Sequence, residues 1–528
     1  MRSTDWVAKV TSRIGNGCTN TGILKPNSTL VTVPSKALRD AIVALLDNDG
    51  EITVSTLGGV DLGDEIELNY HMRIDGTIAT IRTCLPKADS RIQSIVDLIP
   101  GVAFFERENH DLLGVTFEGN SDLRRLVLPE NWPDQNYPLR KEWTPNTEGP
   151  RNDPAPEDSV KTEQTENVGN LIEVVFGPQH PALLEPEKFA LKVDGEVVVD
   201  VEPRIGYVHR GVEKAAEKLT FSKNVHLVER ICGICNTCHT TCFCQAVESI
   251  LGVEVPPRAL FIRTIMLELN RIHSHLLLLG TAGLEMGYET LFQYMWRDRE
   301  PIMDIIESIS GNRVITSMNT VGGVRRDLKP EAMDTIKQAV ANLRERMNFY
   351  ERLFTEDESL KLRTQGIGLL KQKEALSFCT VGPVARASGL KTDVRKDEPY
   401  AAYEDVPFNV VTLEKGDSWT RFIVRIKEVL QSARIIEFAL DHLPDGPCRV
   451  KVQRAVPKGE AISRVEAPRG ELFYYVKSNG GALPERVKVR TPTFANILSF
   501  CETAKGCNVA DVPAIFASFD PCFSCTDR

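Results

Sequence analysis

Arg230-Ile-Cys-Gly-Ile-Cys-Asn-Thr-Cys-His239, running on into Thr-Thr-Cys-Phe-Cys-Gln-Ala-Val-Glu-Ser-Ile-Leu-Gly252, is the stretch whose reading decides the fold. Cys232 and Cys235 form a C-x-x-C pair, a spacing that brings two sulfurs close enough to hold one metal ion. The tract that follows reads as helix. A second pair, Cys522 and Cys525, stands in Asp520-Pro-Cys-Phe-Ser-Cys525, and Cys232 and Cys522 are 290 positions apart. Two pairs offer four soft thiolates, which select zinc, copper, iron–sulfur clusters or nickel.

Spacing alone leaves several centres open. Zinc ribbons separate their pairs by roughly 12–20 residues, far less than here. Cys232, Cys235, Cys238 and Cys242 match the spacing of a bacterial ferredoxin cluster. Phe243 stands where the ferredoxin run has proline, and no second run exists. A thioredoxin-like dithiol needs a small βαβ domain around it. Cys238, Cys242 and Cys244 read as small buried residues on the helix.

Working outward, the chain has 528 residues, too many for one ordinary core, so two or three domains are expected. With 42% apolar and 26% charged residues it reads as globular. The net charge of −10 makes it a poor nucleic-acid binder, because phosphate contacts need clustered Lys and Arg. No run of about 18 apolar residues would span a membrane. The 13 cysteines, an odd number of which seven fall in two clusters, point to a reducing compartment and a metal site rather than disulfides.

Residues 142–168, rich in Pro, Glu, Asp, Asn and Thr, read as a linker between residues 1–141 and 169–528. The fold class is α+β. The N-terminal domain is small and α+β, with a helix over 37–46 and strands over 65–70 and 77–82. The larger domain is mainly helical with a small antiparallel sheet. It opens on strands at 171–177 and 189–203, the latter turning at Asp194-Gly195. Apolar residues at Ile262, Ile265, Met266, Leu269, Ile272 and Leu276 form one helical stripe that Gly280 is expected to stop. Helices are expected over 301–310, 331–353 and 419–443.

Arg230, Cys232, Gly233, Cys235 and His239, set against Asp520, Pro521, Cys522 and Cys525, resemble the two signature motifs of nickel–iron hydrogenase large subunits. The likeness continues through GPQHP (177–181), EPEKF (185–189), RIGYVHRGVEK (204–214), GPVARASG (382–389), EAPRGEL (466–472) and TPTF (491–494). These look like the energy-converting, membrane-bound branch, itself related to the quinone-binding subunit of complex I. FERENHDLLGVTFEGNSDLRRLVLPENWP (105–133) and PLRK (138–141) resemble the small peripheral-arm subunit of complex I, fused as in formate hydrogenlyases. Asn120 stands where that pattern has histidine.

The resemblance implies a nickel–iron centre whose iron carries cyanide and carbon monoxide, with reversible heterolytic conversion of dihydrogen. Cys232 and Cys522 would be terminal nickel ligands, and Cys235 and Cys525 would bridge nickel to iron. Cys522 would take the first proton and Glu185, with Glu187 its nearest rival, would pass it out. Arg469 and Thr493 would face the diatomic ligands. Arg230, His239 and Asp520 would support the ligands from behind, and a magnesium or iron ion would lie near the C-terminus. In this family a C-terminal extension is removed once nickel is loaded, and an end at Arg528 resembles the processed form. The resemblance also implies a small subunit with a 4Fe-4S cluster, further iron–sulfur and antiporter-like membrane subunits, and ferredoxin or formate dehydrogenase as electron donor. The chain would dock on the cytoplasmic face of the cell membrane. The alternative is a nickel-free, quinone-module electron-transfer subunit like that of complex I, a lineage that lacks the four cysteines.

Overall fold

The computed structural model describes residues 5–15, 20–25, 28–47, 51–145 and 171–528. Cys18 and residues 146–168 of the expected linker lie outside them. The fold is mixed α and β, 46% helical and 20% strand, as the sequence patterning indicates. Two compact units are present. The first comprises Met1–Lys214 with Leu376–Cys379 and Thr526–Arg528, and the second Ala215–Ala375 with Thr380–Cys525.

In the first unit, strands Glu65–Ile74 and Thr77–Pro86 form a tight hairpin over Asp75-Gly76. Both turn residues have positive φ (45° and 84°), the backbone that two-residue hairpins favour. Ile52–Asp61 pairs on one side of this hairpin. On the other, Ser28–Thr32 pairs in parallel and Asn20–Lys25 closes a five-stranded sheet. Helix Leu38–Leu46 fulfils the expectation for 37–46. Helix Ala103–Leu113 packs on the Ile52–Asp61 strand and ends at Gly114 (φ 76°), where a Cβ would lie 2.5 Å from the Tyr137 ring. Glu106, Arg107, Asn109 and Asp111 of the FERENHDL stretch are buried here and bond the backbone. The Asp111 carboxylate accepts from Arg125 at 2.9 Å and from the amides of Leu126, Val127 and Leu128. A three-stranded antiparallel sheet, Ile172–Phe176, Lys188–Asp194 and Val197–Arg204, belongs to the same compact unit. Its second hairpin turns at Gly195-Glu196, immediately after Asp194.

The second unit is built on the 29-residue helix Pro257–Glu285. Helices Glu289–Ser310, Ser418–Asp441 and Val512–Phe519 pack against it, and Pro330–Glu356 packs on Glu289–Ser310 and Ser418–Asp441. The expected stripe of Ile262, Ile265, Leu269, Ile272 and Leu276 is buried against Phe422, Ile426 and Val429. Burying each such side chain contributes about 1.5–3 kcal/mol. The helix does not stop at Gly280. Gly280 and Gly283 instead let Trp296 and Leu291 approach, and a Cβ on Gly280 would lie 2.8 Å from the Trp296 ring. The helix expected over 301–310 begins earlier, at Glu289, and carries Pro301 within it. The other two expected helices appear as Pro330–Glu356 and Ser418–Asp441, the latter capped by Asp417, which accepts from the Thr420 amide at 2.8 Å. An antiparallel sheet of Lys458–Ala467, Gly470–Asn479 and Pro484–Arg490 backs helix Asn236–Leu251. Among the described residues no helix is long and apolar enough to cross a membrane.

Candidate metal centre

Both cysteine pairs sit where a chain segment turns into a helix. Cys235 occupies the N-cap of Asn236–Leu251, so Cys232 lies on the entering loop. Helix Val512–Phe519 is ended by Asp520 in the left-handed region (φ 54°), and a short helix, Phe523–Asp527, carries Cys525. These turns bring the pairs together. Cys232 Sγ lies 3.4 Å from Cys522 Sγ, and Cys235 Sγ lies 3.3 Å from Cys525 Sγ. All four residues are buried and unbridged, since a disulfide needs about 2.05 Å. Two sulfurs bound at about 2.3 Å to one metal lie on the order of 3–4 Å apart, so the spacing suits shared ligation.

Among the described residues, the two groups with three or more ligand atoms within 4.8 Å are Cys232, Cys522 and Cys525, and Cys235, His239 and Cys525. Electrostatics makes the cluster uneven. Sharing protons with its three neighbours holds the Cys232 thiol well below its usual range. The thiols of Cys235 and Cys525 are pushed well up by the sulfurs beside them. Four buried sulfurs cannot all ionise together without a cation between them.

His239 is one helical turn beyond Cys235 and so shares its face. Its Nδ1 meets the Tyr474 hydroxyl at 2.7 Å and its Nε2 lies 3.5 Å from Cys525 Sγ. With Cys525 as a thiolate, both contacts are satisfied when Tyr474 O–H donates to Nδ1 and Nε2–H donates to sulfur. Tyr474 was not legible in the sequence. It comes from the Gly470–Asn479 strand, 235 positions away, and no motif marks it.

Arg469 occupies the turn between strands Lys458–Ala467 and Gly470–Asn479. Gly470 (φ 132°) lets that turn press on Gly382, for a Cβ there would lie 2.8 Å from the Gly382 Cα. The Arg469 side chain reaches the second cysteine pair. Its Nη2 lies 2.7 Å from Asp520 Oδ1, and its Nε donates to the Asp520 carbonyl at 2.7 Å. Burial opposes its charge, but Asp520 and then the sulfurs of Cys522, Cys232 and Cys235 outweigh it, so the guanidinium stays charged. Nη1 and Asp520 Oδ2 have no hydrogen-bond partner among the described residues. Glu466 and Glu471, which flank Arg469 in sequence, are engaged elsewhere: Glu466 with Arg386, and Glu471 with Arg464 and Arg490. Thr493, in the first turn of helix Pro492–Ala504, accepts the Cys522 amide at 3.1 Å through Oγ1 and keeps its own proton to donate. Arg230 is largely exposed and donates to the His226 carbonyl.

The ferredoxin-like spacing does not assemble. The Cys238 thiol points to Asn270 Oδ1 at 3.5 Å, and Cys242 donates to the Ser463 carbonyl at 3.1 Å. Burial pushes the thiols of Cys238 and Cys244 up, as befits small core residues.

Glu185 and Glu187 lie in the first unit. Glu185 is partly buried. Glu187 is fully buried, and burial followed by the neighbouring Asp527 carboxylate pushes its carboxyl up to about 11, which keeps it neutral. Asp527 in turn accepts the amides of Gly206 and Val208 at 2.9 and 3.0 Å. Near the C-terminus the buried cation is Arg528, paired with Glu108 and with Glu213. Neither metal-capable group includes Asp527 or Glu187.

Models of three families match parts of the chain. The model of the respiratory-chain NADH dehydrogenase 30 Kd subunit matches residues 31–148. That of the 49 Kd subunit matches 285–456 and 448–528, and that of nickel-dependent hydrogenases matches 210–279. The chain is 34% identical to the C/D subunit of the NADH-quinone oxidoreductase of Phocaeicola vulgatus, over 93% of this chain and 98% of that protein. It is 35% identical to the formate hydrogenlyase subunit 5 of Escherichia coli, over 88% and 83%. A chain of the membrane-bound sulfane sulfur reductase, an archaeal respiratory membrane complex, superposes with a TM-score of 0.66 at 35% identity, over 68% of this chain and 98% of that one. This chain therefore belongs to the oxidoreductase family of fused 30 kDa-like and 49 kDa-like subunits, which unites the complex I C/D proteins with the large subunits of membrane-bound hydrogenases.

Proposed function

We propose that this chain is the catalytic large subunit of a membrane-associated nickel–iron hydrogenase. The observation that carries the reading is the convergence of Cys232 with Cys522 and of Cys235 with Cys525 in one buried cluster. Four coupled thiols need a soft cation to ionise, and nickel and iron satisfy that demand. The residues around them fit the group as well. Arg469 holds a spare Nη1 donor beside the sulfurs, and Thr493 holds a spare hydroxyl proton.

Cys232 and Cys522 would hold nickel, and Cys235 and Cys525 would bridge it to an iron carrying cyanide and carbon monoxide. Such a centre, when bound, supplies the two-electron chemistry that interconverts dihydrogen with two protons and two electrons. The chain's own residues do the rest. Cys522 holds the first proton at Sγ. Glu185 carries it outward, a task for which neutral Glu187 is less suited because its proton is held up to about pH 11. Asp520 fixes Arg469 through both an ion pair and its carbonyl, so the guanidinium cannot swing away. His239, oriented by Tyr474, stabilises the Cys525 thiolate.

Electrons need partners. The relatives are subunits of membrane-bound respiratory or hydrogenase complexes, so this chain works in a membrane complex. The finer assignment is a small subunit with a 4Fe-4S cluster, further iron–sulfur and antiporter-like membrane subunits, and ferredoxin or formate dehydrogenase as donor, at the cytoplasmic face. The second reading, a nickel-free quinone-module subunit, is favoured by the likeness to the C/D protein of Phocaeicola vulgatus over nearly the whole chain. Hydrogen-dependent reduction of a redox dye by the purified complex separates the two. The proposal expects dye reduction that disappears in Cys522→Ser, and dye reduction that never depends on hydrogen would overturn it.

A further inference from the structure

Behind the cysteine cluster, the second unit buries a second set of ionisable groups. Arg386 bonds Glu466 at 2.7 Å and Glu428 at 2.8 Å, and approaches Asp393 at 3.9 Å. Arg395 pairs with Asp393 at 2.7 Å and Glu268 at 3.1 Å. Arg271 lies 3.4 Å from Glu268 and 3.6 Å from Glu428, and His275 meets Glu428 at 2.9 Å. None of these eight residues is more than 2% exposed.

The charges do not balance. Four carboxyls face three guanidiniums, and burial lowers His275 to about 4, so it is neutral near pH 7. A surplus charge in a water-free interior is costly, and a carboxyl relieves the cost by binding a proton. The hydrogen bonds say which carboxyl. Glu268 accepts from Arg395, from Ser432 at 2.5 Å and from the Tyr403 hydroxyl, and Glu428 accepts from Arg386 and His275. Asp393 receives a two-toothed grip from Arg395. Despite burial, all three are held below the ordinary carboxyl range. Among the described residues the Glu466 carboxyl accepts from Arg386 and from the Val394 amide at 3.1 Å, with Asp393 as a like charge nearby. Burial, opposed by Arg386 and reinforced by Asp393, raises it to about 7.

The surrounding charges are mostly paired among themselves, and the cation left over, Arg425, acts on Glu428 from outside this set. Arg464 and Arg490 face Glu398 and Glu471, two against two. Arg425 gives its Nη1 to the carbonyls of Arg421 and Ser518 and divides its field between Asp520 and Glu428. Arg469 is held by Asp520. Tyr400 meets the Glu466 amide rather than its carboxyl.

We propose that this network is a proton-holding site, in which Glu466 takes up and releases the one proton that moves the cluster between net −1 and neutral. The exchange is the simple one, carboxylic acid to carboxylate plus a proton delivered to solvent. It does not rest on nickel at the cysteines. Glu466 stands three residues before Arg469 on the same hairpin.

The test is infrared spectroscopy of the purified full chain across a pH series, following the carboxylic-acid C=O stretch. We expect one carboxyl's worth of absorbance to fade as pH rises through neutrality. Glu466→Gln should remove that titrating component and leave the constant contribution of buried, neutral Glu187. Asp393→Asn, which deletes the like charge, should move the midpoint to lower pH. If Glu466→Gln fails to fold, the wild-type titration and the Asp393→Asn midpoint decide alone. A wild-type spectrum with no such titrating component, or a midpoint unmoved in Asp393→Asn, would overturn the proposal.

Discussion

The second unit buries two polar clusters, and they solve the problem of burial in opposite ways. The ion network sets guanidiniums among carboxylates, so most of its charge is cancelled by side chains already present. The cysteine cluster sets four like groups against one another, with Arg469 as the nearby cation the chain supplies. The first cluster is nearly complete in itself. The second is complete only when something positive joins it. Self-sufficient polar cores are structural by default, whereas a cluster that cannot neutralise itself is built for a ligand.

Perturbing each cluster sharpens the contrast. Cys522→Ser should have the largest effect: loss of bound nickel and of hydrogen-dependent activity, read by metal analysis and dye reduction. A fully nickel-loaded Cys522→Ser protein would contradict the ligand assignment. Glu185→Gln should retain the metals yet lower turnover by orders of magnitude, and near-wild-type turnover would remove Glu185 from the proton path.

In the ion network, Arg386→Met takes from Glu466 its ion-pair partner and from Glu428 one of three. Removing one partner of a buried pair costs about 3–5 kcal/mol, which a denaturant midpoint will show; a change below about 0.5 kcal/mol, the range of ordinary surface substitutions, would mean the network is not holding the fold. The pH dependence follows from Glu466. Its folded-state pKa is raised from 4.5 to about 7, so its contribution to stability is fully present below about pH 4.5 and is lost as pH rises through about 7. Glu466→Gln should flatten that decline. The smallest effect expected is that of Tyr474→Phe. It removes one hydrogen bond to His239, worth about 1 kcal/mol, and should alter the spectroscopic signature of the Cys525 side more than stability. A spectrum identical to wild type would take Tyr474 out of the site.

Much of this was legible in the sequence, for physical reasons that differ by residue. Cys232, Cys235, Cys522 and Cys525 announce themselves because C-x-x-C geometry is local. The stripe from Ile262 to Leu276 is legible because helical period is local too. What escaped depends on contacts distant in sequence. Gly280 read as a stop, but its missing side chain makes room for Trp296. Pro301 read as a helix start, though the helix is already under way at Glu289. Tyr474 alternates in a strand like any core tyrosine, and its hydroxyl matters only because His239 faces it. The ion network was invisible altogether. Its members are scattered from Glu268 to Glu466, and each taken singly reads as a solvated surface charge.

The central claim is that the four-thiolate cluster is a nickel–iron centre. The most direct test is metal analysis of the purified protein, together with an infrared spectrum in the cyanide and carbonyl stretching region. The account predicts nickel and iron in equal amounts with bands from both ligands. Zinc alone, or iron with sulfide and no nickel, would contradict it.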